Sequence, residues 1–512
     1  MNEKTMMDGE KATDSKSETE ITTSHVVMLP WSQQYTVLWT SKRAVWAAFA
    51  CSSSAVLIGY DMTLIGSIIA NKTFVQHFGR YDDGIEAWTL PASRQLIWSI
   101  VQFVSAMAGA MTVGTLNDIL GRRICFLITV ILTFVGAITE LLSPGWKVWI
   151  AAKIFFGSAM GFMQGNTPTY ISEIAPIHLR GFMLSLFQFW IIFGSFLASC
   201  VLEGTSKIEG QWSWKAAIVS QFGLGCICLL VFIPLVPESP YYLANKGRAE
   251  KARGSLLTLR GGEADYSPEA DLAIIEETLR MEAELNEEDV SYIECFKGSN
   301  FRRTMLACLP MISQMFLGYP LCGNYLAYFL TLSGVTNSFA ITAINNTISM
   351  FAVLVAFVLI EKVGRRVQYL SGIAGMLPCL LGIGILGFVN VGSSSNGKAL
   401  AALAILWNVG YFLSVGAVGW ALVGEISSSR LRAKTTAIAV VVNSLFNMAF
   451  SIGIPYLINA DEANLGPKAG FVFLGPSIVL AIISYFCIPE VKGKSFAELD
   501  ALFESRTPAR KF

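Results

Sequence analysis

The chain has 512 residues, 53% hydrophobic and only 14% charged, and its 37 basic and 37 acidic side chains cancel. A soluble domain carries about 25% charged residues, so this composition, with mean hydropathy +0.54, belongs to a membrane protein and offers no basic surface for a nucleic-acid partner. The ten cysteines lie mostly inside apolar blocks, and the three histidines (His25, His77, His178) show no metal-type spacing beside them, so neither a metal nor a cofactor is expected.

Residues 1 to about 40 are rich in Ser, Thr, Glu and Lys and have no apolar leader core. They read as a disordered cytosolic tail. A first apolar span covers about 45–70 and carries Gly59-Tyr60-Asp61, a carboxylate deep in an apolar helix. The outer loop after it holds Asn71-Lys72-Thr73, a glycosylation sequon at Asn71. Spans two to six follow at about 96–113, 124–142, 148–170, 182–202 and 216–236. Each has the length of a bilayer crossing, about 20 residues. The polar stretch 238–303 has helix-like spacing over 268–286 and reads as a cytosolic helical linker. Six more spans follow, at about 304–331, 338–360, 367–390, 399–424, 433–458 and 469–488, and then a polar tail, 490–512. The predicted fold is an all-α membrane protein with twelve transmembrane helices in two pseudo-symmetric six-helix bundles, 41–237 and 304–489.

Internal repetition supports the two halves. Gly121-Arg122-Arg123 recurs as Gly364-Arg365-Arg366, 243 positions on. Glu173-Ile174-Ala175-Pro176 with Arg180 recurs as Glu425-Ile426-Ser427-Ser428 with Arg432, and Pro237-Glu238 as Pro489-Glu490, both 252 positions on. Three marks in one order in both halves point to a duplicated membrane protein. Arg122, Arg123, Arg180, Lys362, Arg365, Arg366, Arg430, Arg432 and Lys434 fall on one side, which the positive-inside rule places in the cytosol together with both termini.

The motif that opens at Gly114 and ends in paired Arg suggests two physical tasks. Gly permits close helix approach. Arg presents a planar fork to a carboxylate on a neighbouring helix end. Asp118, Glu173 and Glu238 are the expected partners in the first half, and Glu361, Glu425 and Glu490 in the second. Such pairs would latch the cytosolic side shut when the path opens outward. The alternative is that these Arg residues fix topology alone.

These motifs, with Tyr170 through Pro176, Pro237-Glu238-Ser239-Pro240, Trp420 through Arg432 and Lys492-Gly493, resemble the sugar porters of the major facilitator superfamily over roughly residues 40–500. The closing stretch, Gly493 to Phe512, resembles fungal α-glucoside (maltose-type) permeases. The resemblance implies alternating access, with the two halves rocking about a solute held near the midplane. It assigns Asp61 to proton coupling and places Lys153 where the family's usual span-four Arg stands. A carboxylate in an apolar helix is costly to ionise unless a cation holds it, so an exchange between a paired and a protonated state could couple protons to rocking. The alternative is a structural Asp61–Lys153 pair in a plain facilitator.

The resemblance also implies that Gln188, Gln314, Trp420 and Asn443 face a sugar, through amides that reach hydroxyls and an aromatic face for the ring. Span seven departs from the family: Ser313-Gln314 replaces a paired glutamine, Asn324 lies further along than the usual Asn, and Pro320 and Gly323 predict a bent or broken helix. Ser195 replaces a second span-five glutamine.

The expected function is a secondary active transporter at the plasma membrane that takes up a sugar, an α-glucoside such as maltose, with protons. Its partners would be the solute, protons and the lipid bilayer. The alternative is a facilitator or exporter of a non-sugar metabolite on the same fold. A nutrient sensor is disfavoured by the short tail after span twelve. An enzyme is disfavoured because no nucleophile–base set or metal cluster stands out.

Overall fold

In the computed structural model of the chain the described residues are 39, 41–83, 86–175, 180–261, 266–287, 292–333, 335, 337–389, 394–427, 431–459, 462–492, 499, 502, 503, 505, 508 and 509. The N-terminal tail, apart from Trp39, lies outside them.

Among the described residues, ten helices are long and apolar enough to cross a membrane. Two further helical regions complete twelve spans in two halves of six. Span four, Trp146–Ile174, is long enough but carries Lys147, Lys153, Gln164, Asn166 and Glu173. Span seven is broken into Gly298–Phe316, a π-turn over Pro320–Asn324, and Leu326–Leu332. The break follows from Pro320, which donates no amide hydrogen, and from Gly318 at φ +100 just before it.

Two other breaks carry no proline signal. Span one divides into Lys42–Ser52 and Ala55–Ile68. There Ser53 Oγ donates to the Ala50 carbonyl and Ser54 Oγ to that of Cys51, each at 2.7 Å, so side chains compete with the backbone for its acceptors. Span ten divides into Ser394–Leu413 and Val415–Ile426 at Ser414, whose hydroxyl donates to Gly410 at 2.6 Å.

Other spans run past their apolar cores. Span two is Ala92–Leu120 and ends at Gly121; span three, Arg122–Leu141, begins there. Span eight, Ser338–Val363, and span nine, Arg365–Leu386, meet in the same way at Gly364. Spans five and six are Arg180–Thr205 and Trp212–Leu235; spans eleven and twelve are Arg432–Ile458 and Ala469–Cys487. Between the halves lie the short helices Pro240–Asn245, Ala249–Arg260 and Pro268–Glu287. They sit at the Gly-Arg-Arg end of the molecule: Tyr242 Oη donates to the Ile119 carbonyl at 3.0 Å.

The loop after span one departs from an all-helical reading. It folds into a helix, Lys72–Phe78, and a two-stranded antiparallel hairpin, Arg80–Asp82 with Ala87–Thr89. Phe74 and Phe78 insert among Trp98, Trp149 and Trp214, with ring centroids 4.9–6.2 Å apart. Such ring pairs add about 0.5–1.5 kcal/mol each beyond burial, which seats the loop on the first half.

This packing overturns the sequon reading of Asn71. The residue is 4% exposed. Its Oδ1 caps the loop helix by accepting from Thr73 N (3.0 Å) and Phe74 N (3.3 Å), and its Nδ2 donates to Ser213 Oγ at 2.7 Å. The nitrogen a glycan would need is buried and already bonded.

Among the described residues, hydrogen bonds that join the halves lie toward the hairpin end. Asn346 Nδ2 of span eight donates to Ser195 O (3.1 Å) and Ser199 Oγ (2.9 Å) of span five. Asn459 at the end of span eleven donates to the Leu90 carbonyl at 3.5 Å. At the other end of span two, Met111 is 82% exposed, and a Cβ on Gly114 would meet nothing within 4 Å. The molecule is thus clasped at the hairpin end, and its span-two face at the Gly-Arg-Arg end is uncovered.

Candidate functional site

The two Gly-Arg-Arg turns form matching structures. Gly121 has φ +94 and Gly364 φ +97, a region that favours glycine. Each turn starts a helix whose first amides need acceptors. Glu238 supplies them in the first half, accepting from Arg122 N at 2.9 Å and Arg123 N at 3.3 Å. Glu490 does so in the second, accepting from Arg365 N and Arg366 N at 3.1 Å each. A carboxylate there also meets the positive end of the helix dipole. Sequence reasoning paired these two glutamates with guanidinium forks; their contacts here are to backbone amides.

The forks go to the other pair of acids. Arg122 Nη2 lies 2.8 Å from Glu173 Oε1, and its Nε donates to the same oxygen at 3.2 Å. Arg365 grips both oxygens of Glu425, at 3.0 and 3.1 Å. The spare oxygen of Glu173 accepts from Ser239 Oγ. Asp118 is a weak third partner, 3.6 Å from Arg122 and 68% exposed. Each of these pairs lies within one half. They tie span three to four and span nine to ten, so among the described residues they do not form the expected latch across the halves. The side chains of Arg180, Glu361 and Arg432 lie outside the described residues. Gly114 makes no close approach in this conformation, contrary to expectation, because its face of span two is uncovered.

Deeper in the first half lies a second charge set. The expected Asp61–Lys153 pair is not what forms. Lys153 Nζ sits 2.5 Å from Glu140 Oε1 of span three, with the lysine 1% and the glutamate 0% exposed. Asp61, 5% exposed, instead accepts from Gln102 Nε2 at 2.9 Å. Lys153 also lies over the rings of Trp149 (5.2 Å) and Phe156 (5.5 Å). Glu140 escaped sequence reading although it falls within the expected third span, because it stands near that span's end and belongs to no recurring motif. The apolar run around Gln102 gave no reason to single that residue out.

Two adjoining clefts lie where the halves meet, enclosing about 420 and 500 Å³ including space open to solvent. The first is lined by Gln102, Ser99 and Met160 of one half and by Asn324, Tyr325 and Ser451 of the other. The second is lined by Gln188 and Ser195 facing Tyr319, Asn346, Asn408 and Phe412, with Asn324 shared. Of the residues that sequence reasoning considered for solute binding, Gln188 and Asn324 line these clefts.

Gln314, Trp420 and Asn443 do not line these clefts. Gln314 is 4% exposed and packs under Gly419; Asn443 donates to the Met311 carbonyl at 3.4 Å, a helix-packing bond; Trp420 is 43% exposed. Asn346 and Asn408 were missed: Asn346 is one of two adjacent amides that carry no motif, and Asn408 is a single amide in an apolar run. Asn408 has a structural reason to be there: its Nδ2 donates at 2.7 Å to the Cys322 carbonyl, inside the broken turn of span seven. Its buried Oδ1 has no hydrogen-bond partner among the described residues.

Comparison with known proteins bears on the fold as a whole. A structure described as the inward open conformation of the xylose transporter XylE from E. coli matches with TM-score 0.71 at 21% identity, over 89% of this chain and 98% of that one. Another, of the XylE proton:xylose symporter bound to 6-bromo-6-deoxy-D-glucose, also matches with TM-score 0.71 at 21% identity, over 91% of this chain and all of that one. These likenesses show the twelve-helix major facilitator fold. In sequence, the chain is 30% identical to the MFS transporter fmqE of Aspergillus fumigatus, over 91% of this chain and 86% of that protein. It is also 30% identical to a general alpha-glucoside permease of Saccharomyces cerevisiae, over 92% of this chain and 77% of that protein. With residues 46–503 matching the model of the sugar (and other) transporter family, this multi-pass membrane protein belongs to that family.

Proposed function

We propose that the chain takes up a sugar, an α-glucoside such as maltose, together with protons, by alternating access. The observation that carries the reading is the amide-lined cleft shared by both halves. Gln188 on one side and Asn324, Asn346 and Asn408 on the other offer donors and acceptors to a polyhydroxylated solute, and Tyr319 and Phe412 offer ring faces. The free Oδ1 of Asn408 suits a hydroxyl donor. A solute that bridges the halves would link their motion.

Protons enter the reading through Gln102. It lines the cleft and hydrogen-bonds Asp61, so the buried acid stands one side chain from the solute space. The similarity to an alpha-glucoside permease supports the solute class. The Gly-Arg-Arg end and both termini would lie in the cytosol, with the protein in the plasma membrane.

The test is a solute panel on purified, reconstituted protein at two external pH values: maltose and other α-glucosides, hexoses, pentoses and unrelated organic anions. Saturable, acid-stimulated uptake of an α-glucoside is the expected result. Uptake of a non-sugar alone, or pH-independent equilibration, would point to the facilitator or exporter reading.

A further inference from the structure

We propose that Glu140 is a positioning residue for proton coupling: it holds Lys153 away from Asp61, so that Asp61 remains free to take a proton from the cleft side. The inference rests on the proton-coupled reading above. It begins from a count. Two acids, Asp61 and Glu140, share one base, Lys153, and all three are at most 5% exposed. With every group ionised the set carries one uncompensated negative charge in apolar surroundings, which is costly. One added proton makes it neutral.

Geometry decides which acid is left without the cation. Lys153 makes its close contact with Glu140 and leaves Asp61 a neutral donor, Gln102. The lysine is nonetheless near enough to act on both carboxyls, and the charges that act on Glu140 are Lys153 and Asp61. Each acid keeps one buried oxygen, Glu140 Oε2 and Asp61 Oδ1, without a hydrogen-bond partner among the described residues, so the ammonium group has an open acceptor on either side. A lysine is a point charge on a flexible stem and can redirect to a second acceptor; a guanidinium fork fixed on one carboxylate could not do so as readily. The proton that Asp61 takes forms an O–H bond there. It leaves by the same route past Gln102, and no other group changes oxidation state or bonding. Because Lys153 holds Glu140 and the cleft-lining Gln102 holds Asp61, the transported proton is assigned to Asp61 and not to Glu140.

The experiment uses the full chain in proteoliposomes, with labelled maltose as the probe and an enclosed pH dye reporting proton entry. Three proteins are compared: wild type, Glu140→Gln, and the paired neutral variant Glu140→Gln with Lys153→Gln. Glu140→Gln releases Lys153 to Asp61. Maltose accumulation and maltose-driven proton entry should fall about tenfold, the effect of about 1.4 kcal/mol, while maltose counterflow, which needs no net proton movement, stays within about threefold. A purely structural Glu140 would lower counterflow and accumulation together. If Glu140→Gln fails to fold, the paired variant decides. With no cation to capture Asp61 it should keep proton entry; loss of proton entry with counterflow intact would overturn the proposal. Wild-type levels of coupled uptake in Glu140→Gln would overturn it too. Wild-type protein that exchanges maltose without moving protons would remove the coupled reading itself, and Glu140's role with it.

Discussion

Substituting alanine for two glycines of one motif should have opposite effects. Gly121 has φ +94, and a Cβ there would lie 2.6 Å from Glu238 Oε2 and 2.9 Å from the Tyr242 ring. The backbone strain costs about 1–3 kcal/mol. Displacing Glu238 loosens its bonds to the amides of Arg122 and Arg123, about 1.5–3 kcal/mol more for a charged acceptor. Gly121→Ala should therefore destabilise the protein by about 3–5 kcal/mol. Gly364→Ala should do the same through Glu490, 2.8 Å from its added Cβ. Gly114 sits inside span two with open space around it, so Gly114→Ala should be neutral or stabilising by up to about 1 kcal/mol, the helix-propensity gain. Denaturant unfolding of the full chain in detergent micelles gives the three values. A loss below about 1 kcal/mol for Gly121→Ala, or an equal loss for Gly114→Ala, would refute the reasoning.

Other expectations follow from single contacts. Arg365→Lys keeps the charge but not the two-pronged grip on Glu425, and should cost about 1.5–3 kcal/mol in the same unfolding assay; unchanged stability would mean the fork is not needed. Asn71→Gln should cost about 1–2 kcal/mol through the lost helix cap, and the wild-type protein should show no mobility change on removal of N-linked glycans. A glycan found at Asn71 would contradict the burial described here. The clasp between spans eight and five predicts that Asn346→Ala and Ser199→Ala do not add, with a coupling of about 0.5–3 kcal/mol; additive costs would show that the two side chains do not share a bond.

The sequence made the architecture legible because membrane crossings announce themselves by length and apolarity, and because the two halves repeat the same marks. Even the broken span seven could be read from Pro320 and Gly323. The breaks at Ser53-Ser54 and Ser414 could not, since serine interrupts a helix only through the particular bonds it makes. The acid–arginine network was legible in its members but not in its pairing: Glu238 and Glu490 serve backbone amides, while Glu173 and Glu425 take the forks. The cleft was the least legible part. Gln188 stood out through family resemblance and Asn324 as a departure from it, but Asn346 and Asn408 became visible only when helices distant in sequence were brought together. Glu140 was hidden for a related reason, since only the packing of spans three and four turns it inward onto Lys153.

The most direct measurement is uphill uptake of labelled maltose by the reconstituted wild-type protein under an inward proton gradient, with and without a protonophore. Internal maltose should rise above the external level and fall back to it when the protonophore is added. Maltose that never exceeds the external level, or accumulation indifferent to the protonophore, would contradict proton-driven sugar uptake by this chain.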